Sequence, residues 1–567
     1  MKKLTSLLRR CVLSPQILYI WTLVVLIVPN VALCITEDLP LWAALTNLFL
    51  PLGFYALILA LGRTTGKMVW WLFLALFFAA FQIVLLFLFG NSIIGVDMFL
   101  NVLTTNPSEA FEVLGNLLSG IATIVLLYVP ILVVACIQIY HHKTLPLALR
   151  RKLRIGAIIL LLCGAGSLVG AYRTISSYKV LNDLYPLNVC YNVKLTADRL
   201  LATNRYHKAS ADFTFHTSPT HPDDVPEVYV LVIGETARAD NFGLYGYHRP
   251  TTPRLQADTA QIVWFTDVLS QSNTTHKSVP MLLSAATAQD FNRIYSEKSI
   301  ITAFKEAGFY TAYLSNQRRN HSFIDFYGEE ADKVVFLKDD ARTDHYDTEL
   351  LTQTEALLQE GHRKLFVVLH LYGSHFNYRE RYKPADAQFG PDIASEARPE
   401  NRESLLNAYD NTILMTDLVL DSLFHQVGTT EALSAVFYTS DHGENIYDDA
   451  RHLFLHASPR PSYYDMHVPL IIYTSPSFQN TYPEQLQALI DNQHKPVAPN
   501  ASAFHTMLYL AGLQTPALCD SLALSSPHYA CPHRYYINDH NEPIPLRQLK
   551  LSDEDFQQFK IHKITLK

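Results

Sequence analysis

Five long apolar stretches in the first 174 residues constrain the fold of this chain more than any other feature. Each is long enough to cross a bilayer, which takes roughly 20 residues of α-helix. A cleavable signal peptide is the alternative for the first stretch, but that stretch is long and no small-residue cleavage site precedes the next one. We therefore predict a transmembrane domain of five helices, at about 17–35, 41–61, 68–90, 118–140 and 155–171.

Lysine and arginine are distributed unevenly among the loops that join these stretches. They occur before the first stretch, between the second and third, and between the fourth and fifth, whereas the other two loops are acidic. Because Lys and Arg mark the cytoplasmic loops of membrane proteins, the N terminus is expected in the cytoplasm. Everything after the fifth stretch is then expected on the outer side of the membrane.

Composition changes sharply near residue 175, which indicates a second kind of domain. We expect residues 1–174 to form the transmembrane domain, 175–226 a bridging helix and linker, and 227–567 a globular domain. In the globular part, short apolar runs alternate with longer amphipathic segments, a pattern typical of a mostly parallel sheet with helices on both faces. The net charge of −7 and the lack of a basic stripe argue against nucleic-acid binding.

Metal-type side chains follow two of the predicted strands. The apolar run Val228–Ile233 ends at a glycine and Glu235, and the run Ala435–Ser440 leads into Asp441 and His442. The carboxyl ends of strands are where such sheets bind ligands. Carboxylate and imidazole ligands without a thiolate favour zinc and, less well, manganese. Three further histidines are candidates for the same site: His370 within the apolar run 365–371, His375 shortly after that run, and His456 after a short loop from Asp441.

The segment 270–284, SQSNTTHKSVPMLLS, places a hydroxyl cluster before an apolar run. This pattern predicts a helix N terminus, where unpaired backbone N–H groups and the helix dipole attract phosphate. A threonine bound to zinc at that position is a candidate nucleophile toward phosphorus. An ordinary N-cap hydroxyl is the structural alternative. The pattern alone does not choose between Thr274 and Thr275.

A second candidate site lies in the loop before the fourth apolar stretch. Asn101, Thr105 and Glu109 are four residues apart, so a helix would place them on one face. Polar groups just above a bilayer suit an ammonium head group, with Glu109 as the anionic partner. Taken alone, the pattern favours the alternative of a solvated face of a surface helix.

As a set, the motifs GETARADN, SVP after the hydroxyl cluster, GSH, SDHGE and the following LH closely resemble the phosphoethanolamine transferases of Gram-negative bacteria, within the alkaline phosphatase and sulfatase superfamily. The resemblance extends to the five spans and to the NVLxTxxxE pattern. It implies an inner-membrane protein with a periplasmic sulfatase-like α/β domain. It also implies a zinc ion held by Glu235, Thr275, Asp441 and His442, with Thr275 as the nucleophile because it lies three residues before Ser278.

The resemblance also assigns substrate contacts. It matches His375 and His456, with His370 nearby, to histidines that hold the phosphoryl group or a second zinc. It favours the head-group reading of Asn101, Thr105 and Glu109. Where lipid A-modifying members have a lysine-bearing segment, this chain has SNQRRNH, so Arg318, Arg319 or His321 is expected to contact phosphate. The cysteines that flank their nucleophile are replaced here by Gln271 and Met281, which points toward branches that modify lipopolysaccharide core or periplasmic glucans.

The implied reaction moves phosphoethanolamine from phosphatidylethanolamine to lipid A or another lipopolysaccharide component through a phosphothreonine, by a chain expected to be a monomer. Such a modification reduces surface negative charge and therefore polymyxin binding. Alternatives are a phosphoglycerol transferase of the lipoteichoic acid synthase type, transfer to periplasmic glucans, and an inactive sensor of envelope lipids. A sulfatase fits less well, because Leu282 stands where that family has arginine. Cys519 and Cys531 could close a local disulfide.

Overall fold

The computed structural model describes residues 13–89, 93–104, 118–340, 345–393, 397–530 and 533–566. The chain divides into two compact units, Met1–Phe99 with Leu114–Ala197 and Leu100–Val113 with Asp198–Lys567. We call them the membrane unit and the catalytic unit. The boundaries predicted at residues 174 and 226 remain predictions.

The membrane unit is helical. Among the described residues, four helices are long and apolar enough to cross a membrane: Pro15–Thr36, Leu41–Leu61, Ile121–Tyr140 and Leu147–Thr174. The third predicted span is instead two helices, Thr65–Trp71 and Phe73–Phe89, which meet at Leu72 with a bend of 61°. Five spans are reached only if this pair counts as one. No glycine or proline marks the bend in the sequence, so the hydropathy pattern could not reveal it.

Small residues allow two of these helices to pack closely. A Cβ on Gly53 would lie 3.0 Å from Leu161, and one on Gly164 would lie 2.7 Å from the side chain of Leu50. The helices Leu41–Leu61 and Leu147–Thr174 therefore approach each other with little side chain between them, as is common between membrane helices. Arg154 donates from Nε to the carbonyl of Ala60 at 3.0 Å, so a cation lies at the C-terminal end of the first of these helices.

A seven-stranded sheet forms the centre of the catalytic unit. Its strands are β1 Glu227–Gly234, β2 Ile262–Trp264, β3 Tyr310–Ser315, β4 Lys333–Phe336, β5 Lys364–His370, β6 Leu433–Ser440 and β7 Leu470–Thr474. Their order across the sheet is β2-β7-β6-β1-β5-β3-β4. Neighbours from β6 to β4 pair in parallel, whereas β7 is antiparallel to both β6 and β2. The sheet is thus mixed, with the mostly parallel centre that the sequence predicts.

Alternate residues of the central strands enter two separate cores. Tyr229, Leu231 and Ile233 of β1 pack in one apolar layer, and Val228, Val230 and Val232 pack in the other. The first layer contains Val279 of the helix Thr275–Leu282, and the second contains Leu420 of the helix Arg402–Gly428. Helices therefore cover both faces, which explains why all eight residues of β1 are buried.

The remaining elements are short or peripheral. Two-residue or three-residue strands pair as Ser218–Pro219 with Leu513–Gln514, Asn445–Ile446 with Phe454–Leu455, and Tyr535–Ile537 with Pro543–Pro545. The candidate span Ile121–Tyr140 is part of the helix Leu118–Tyr140. Other helices are Val96–Thr104, Val180–Asp183, Leu187–Asn204, Tyr206–Ala209, Pro253–Ala257, Ile300–Glu306, Phe323–Gly328, Thr348–Gln359, Tyr463–Met466, Pro476–Thr481, Pro483–Asn492, Pro499–Leu510 and Asp553–Ile561.

Candidate active site

Two adjacent parallel strands bring the predicted metal ligands together. Glu235 follows the last residue of β1, and Asp441 and His442 follow the last residue of β6; Gly234 and Ser440 are register partners. The backbone N–H of Asp441 donates to the carbonyl of Gly234 at 3.0 Å, which extends the ladder into the site. Glu235 thus shares one edge of the sheet with Asp441 and His442, although 205 residues separate Glu235 from Asp441 in the chain.

Glu235, Asp441 and His442 form a compact and fully buried ligand set. One ligand atom from each lies within 4.8 Å of the others. His442 Nε2 is 3.6 Å from Glu235 Oε1 and 3.2 Å from Asp441 Oδ2. Asp441 Oδ2 is buried and accepts no hydrogen bond from the described residues. A buried carboxylate oxygen without a donor is costly, and a divalent cation would satisfy it.

Thr275 is the first residue of the helix Thr275–Leu282, and its side chain faces this ligand set. Its Oγ1 lies 3.3 Å from each carboxylate oxygen of Glu235 and 3.1 Å from Nε2 of His442. Thr274 is the N-cap and its hydroxyl makes no capping bond. The geometry therefore separates the two threonines that the sequence pattern leaves equivalent.

Hydrogen bonds hold the start of this helix against the end of β6. The hydroxyls of Ser278 and Ser270 both donate to the carbonyl of Asp441, each at 2.6 Å. Asn500 donates to Ser278 Oγ at 2.7 Å from the neighbouring helix Pro499–Leu510. The position of Thr275 relative to the metal ligands is thus defined by buried polar contacts.

Burial determines the charge state of the site. It raises the pKa of Asp441, with the His442 imidazole opposing that shift. It lowers the pKa of His442 to about 4, so the imidazole is neutral at physiological pH. Neutral imidazole is the form that binds a metal ion, and a divalent cation would in turn favour the carboxylate form of Asp441.

Two of the three additional histidines lie beside this ligand set. The ring of His456 is 4.2 Å from that of His442, between centroids, and 6.3 Å from that of His375. Burial lowers the pKa of His456 to about 4 and, together with Arg381, lowers the pKa of His375 well below its usual range. Both imidazoles are therefore neutral and suited to donate hydrogen bonds.

The third histidine, His370, lies in the core of the sheet. It is the last residue of β5, and its Nδ1 is 3.0 Å from the hydroxyl of Tyr313 on β3. It is fully buried, and its Nε2 has no hydrogen-bond partner among the described residues. The structure shows a core contact for this residue, and its predicted role in substrate binding stays a prediction.

Of the other predicted substrate-binding residues, those whose side chains the structure describes do not lie at the site. Arg318 and His321 are exposed in the segment after β3. Arg319 is ion-paired with Asp339 at 2.8 Å and with Glu329. The backbone of Asn101 belongs to the helix Val96–Thr104, while its side chain and residues Thr105, Glu109 and Cys531 lie outside the described residues.

Some residues around the site were not singled out from the sequence. Glu444 accepts from the Tyr378 hydroxyl at 2.5 Å, and its other oxygen is 3.0 Å from Nδ1 of His456, so it orients that imidazole. Burial raises its pKa to about 8, which makes it protonated at neutral pH. Glu444 belongs to the SDHGE motif, but its partner Tyr378 lies 66 positions away, and no sequence signal links the two.

Asp347 supports the loop that carries His375. Its carboxylate accepts from the backbone N–H groups of Tyr372 and Gly373, both at 2.8 Å, and from the amide of Asn316 at 2.8 Å. Gly373 has φ 49°, and a Cβ there would lie 2.8 Å from the carbonyl oxygen of Glu235. A glycine is therefore required where this loop passes the metal ligand. The local sequence around Asp347 carried no signal of this role.

Comparison with known proteins identifies the family of this chain. Residues 227–513, about half of the chain, match the Sulfatase family, and residues 48–192 match the family Phosphoethanolamine transferase EptA/EptB. The chain belongs to the Sulfatase family, and its N-terminal region is similar to the phosphoethanolamine transferases EptA and EptB. The resemblance that the sequence motifs indicate is thereby confirmed.

Individual members of the phosphoethanolamine transferase family show how far the likeness reaches. Phosphoethanolamine transferase EptC of Escherichia coli O18:K1:H7 is 26% identical over 315 residues, 54% of each chain, so the chain spans about half the length of the curated relatives it matches. The zinc complex of the periplasmic domain of Escherichia coli EptC matches with 25% identity and a TM-score of 0.54, covering 60% of this chain and 97% of that one.

The membrane unit also has a structural counterpart in the phosphoethanolamine transferase family. The integral membrane protein EptA from Neisseria meningitidis matches with a TM-score of 0.70 over 89% of this chain and 97% of that one. At 22% identity this match shows the fold alone. It extends the structural likeness beyond the sulfatase-like domain.

Proposed function

We propose that this chain is a zinc-dependent phosphoethanolamine transferase that uses Thr275 as its nucleophile. The observation that carries the proposal is the position of the Thr275 hydroxyl, within 3.3 Å of both Glu235 and His442 at the start of a helix. Similarity to phosphoethanolamine transferases supports the reaction class. The chain acts as a multi-pass protein of the bacterial inner membrane, with its catalytic unit in the periplasm.

The donor set fits zinc. Glu235, Asp441, His442 and the Thr275 hydroxyl supply oxygen and imidazole ligands, and the orphaned Oδ2 of Asp441 is the atom that most needs a cation. The zinc complex of the Escherichia coli EptC domain supports the choice of metal. When bound, zinc lowers the pKa of a coordinated hydroxyl and offsets negative charge on a phosphoryl oxygen.

In the first half of the reaction, phosphoethanolamine moves from the donor lipid to Thr275. Thr275 Oγ1 attacks the phosphorus of phosphatidylethanolamine, the bond from phosphorus to the glycerol oxygen breaks, and the hydroxyl proton leaves with diacylglycerol. His375 and His456, both neutral, hydrogen-bond the phosphoryl oxygens. The N-terminal end of the helix Thr275–Leu282 adds its positive dipole toward the same charge. The product is a phosphothreonine that carries ethanolamine.

The second half returns the enzyme to its starting state. An acceptor oxygen attacks the phosphorus, the bond to Thr275 Oγ1 breaks, and the threonine regains a proton. His456 is suited to relay that proton at Nε2, because Glu444 holds its Nδ1 at 3.0 Å. The acceptor is lipid A or another lipopolysaccharide component, with periplasmic glucans as the alternative.

Packing around the nucleophile supports a branch without flanking cysteines. Gln271 accepts from the backbone N–H of Ala288 at 3.2 Å, and Met281 is fully buried in the core. Neither glutamine nor methionine carries a thiol, so these positions cannot form a disulfide. Asn101, Thr105 and Glu109 are proposed to bind the ammonium group of the donor, and Arg318 and His321 to contact its phosphate.

Purified full-length protein in detergent tests the proposal. It is incubated with phosphatidylethanolamine labelled in the ethanolamine, with phosphatidylglycerol labelled in the head group as the rival donor, and with lipid A or rough lipopolysaccharide as acceptor. Release of diacylglycerol and labelled acceptor from phosphatidylethanolamine alone supports the proposal. Transfer from phosphatidylglycerol would instead establish the phosphoglycerol alternative, and release from neither donor would favour the inactive sensor.

A further inference from the structure

A second group of metal-type side chains lies outside the site described above. It consists of Asp240, Tyr463, His467 and His562, which we call the Asp240 cluster. His467 Nδ1 is 3.0 Å from Asp240 Oδ2, and His562 Nε2 is 3.2 Å from Asp240 Oδ1. The hydroxyl of Tyr463 donates to Asp240 Oδ1 at 2.8 Å and lies 2.7 Å from His467 Nδ1. One carboxylate, two imidazoles and a phenol therefore converge.

Three separate segments of the chain build the Asp240 cluster. Asp240 lies in a single helical turn, Ala239–Asn241, a few residues after Glu235. Tyr463 begins the short helix Tyr463–Met466 and His467 caps its C-terminal end. His562 caps the C-terminal end of Asp553–Ile561.

Backbone contacts hold these segments in register. The N–H of Ala239 donates to the carbonyl of His467 at 3.1 Å, and the N–H of Tyr463 donates to Asp555 Oδ1 at 2.9 Å. Capping boxes at Ser462 and Ser552 define the starts of the two helices. The capped helices Tyr463–Met466 and Asp553–Ile561 thus define where the ligands lie. A preformed metal site requires ligands that are held in place in this way.

The ligand chemistry matches a zinc-class cation. Single ligand atoms from Asp240, His467 and His562 lie within 4.8 Å of one another, as in the catalytic set. Mixed carboxylate and imidazole ligands are typical of zinc, and the phenol could serve as a fourth donor. His467 and Asp240 are largely enclosed, whereas the side chain of His562 is 35% exposed and provides an entry path.

Protonation is consistent with this chemistry. Burial opposes ionisation of Asp240, but the nearby His467, His562 and Arg238 lower its pKa to about 2, so the ligand is a carboxylate. Burial lowers the pKa of His562, which favours neutral imidazole. His467 directs Nδ1 toward Asp240 and Tyr463, so Nδ1 is its ligand atom in this cluster.

We propose that Asp240, His467 and His562 bind a second zinc-class divalent cation, with the Tyr463 hydroxyl as an additional donor. The ion fastens the helix Asp553–Ile561 to the loop that leaves Glu235. Its role is structural, because the cluster contains no nucleophile aimed at an open position. This inference does not depend on phosphoethanolamine transfer.

Metal content of the untagged full-length protein tests the proposal. Protein in detergent is equilibrated with zinc, freed of loosely bound metal, and measured by inductively coupled plasma mass spectrometry. His562→Ala should lower the zinc content by one ion per chain relative to wild type. His425→Ala, which removes an exposed histidine from the helix Arg402–Gly428, should leave it unchanged. The test compares the zinc content of each variant with that of wild type, so it does not depend on whether Glu235, Asp441 and His442 also hold a zinc ion.

His562→Asn serves as a second variant, because asparagine is favoured at helix C termini but does not replace imidazole as a zinc ligand. Circular dichroism confirms that each variant is folded. Loss of one zinc ion in folded His562→Asn and His562→Ala supports the site. An unchanged zinc content in either folded variant overturns it and leaves the Asp240 cluster as a hydrogen-bond network.

Discussion

The hydroxyl of Thr275 lies 3.1 Å from Nε2 of His442, although the two residues are 167 positions apart in the chain. The contact depends on two arrangements that meet at one point. Strand β6 ends at Ser440 beside β1, and the helix that starts with Thr275 is held to the carbonyl of Asp441 by Ser278. The proposed nucleophile and the proposed metal ligands thus come from segments that are far apart in the sequence.

Replacing Thr275 by alanine should abolish transfer, since no other hydroxyl replaces its contacts with Glu235 and His442. Thr274→Ala is the matched control. The hydroxyl of Thr274 makes no capping bond and pairs only with Ser272 at 3.1 Å in the described structure, so this variant should keep activity within about tenfold. Both are measured as diacylglycerol released from phosphatidylethanolamine. Loss of activity in Thr274→Ala with retention in Thr275→Ala would exchange the two assignments.

Replacing Glu444 by alanine should slow transfer by a factor on the order of 10 to 100, as loss of an orienting partner commonly does. The reason is that Glu444 holds Nδ1 of His456 at 3.0 Å and accepts from Tyr378 at 2.5 Å. Glu444→Gln keeps a hydrogen-bonding group of the same size and should retain more activity than Glu444→Ala. Steady-state kinetics of both variants decides the matter, and wild-type turnover in Glu444→Ala would contradict an orienting role.

Asp347→Ala should weaken both folding and transfer. The substitution leaves the N–H groups of Tyr372 and Gly373 without their acceptor, which costs about 1–3 kcal/mol when the groups are buried. It also removes the hydrogen bonds that hold the loop carrying His375 in position. Glu355→Ala, on the exposed face of the helix Thr348–Gln359, is the control and should change neither property. Urea unfolding and turnover are compared, and an unaltered Asp347→Ala variant would refute the support role.

Stability should fall in mild acid because of His370. Burial lowers the pKa of His370 from 6.5 to about 3. Between these two pH values the unfolded chain binds a proton at His370 and the folded protein does not. This contribution is present above pH 6.5 and is lost as the pH falls toward 3; at pH 5 the loss is about 2 kcal/mol. His370→Gln cannot titrate, so its free energy of unfolding should decline less between pH 7 and pH 5. An equal decline in both proteins would rule out this residue as the cause.

The sequence predicts the catalytic unit well where an apolar run is followed directly by metal-type side chains. The runs Val228–Ile233 and Ala435–Ser440 are strands, and the carboxylates and imidazole that follow them meet at one edge. The short strands β2 and β4 went unpredicted, because three or four residues carry too little periodicity to stand out. The antiparallel direction of β7 was also missed, since apolar pattern is the same for both directions.

Partners that come from distant segments were invisible in the sequence. The contacts of Asp347 with the loop before His375 depend on tertiary packing, as does the contact of His370 with Tyr313. The helix break at Leu72 contains no glycine or proline, so no sequence signal marks it. By contrast, the choice of Thr275 over Thr274 follows from family resemblance, and the geometry supports that choice independently.

The central claim is that Thr275 carries phosphoethanolamine during the reaction. The most direct test is peptide mass spectrometry of the protein quenched in acid after incubation with phosphatidylethanolamine and no acceptor. The account predicts a phosphoethanolamine-sized addition on Thr275 that disappears when lipopolysaccharide acceptor is added before quenching. An addition on another residue, or active transfer with unmodified Thr275 at every time point, would contradict it.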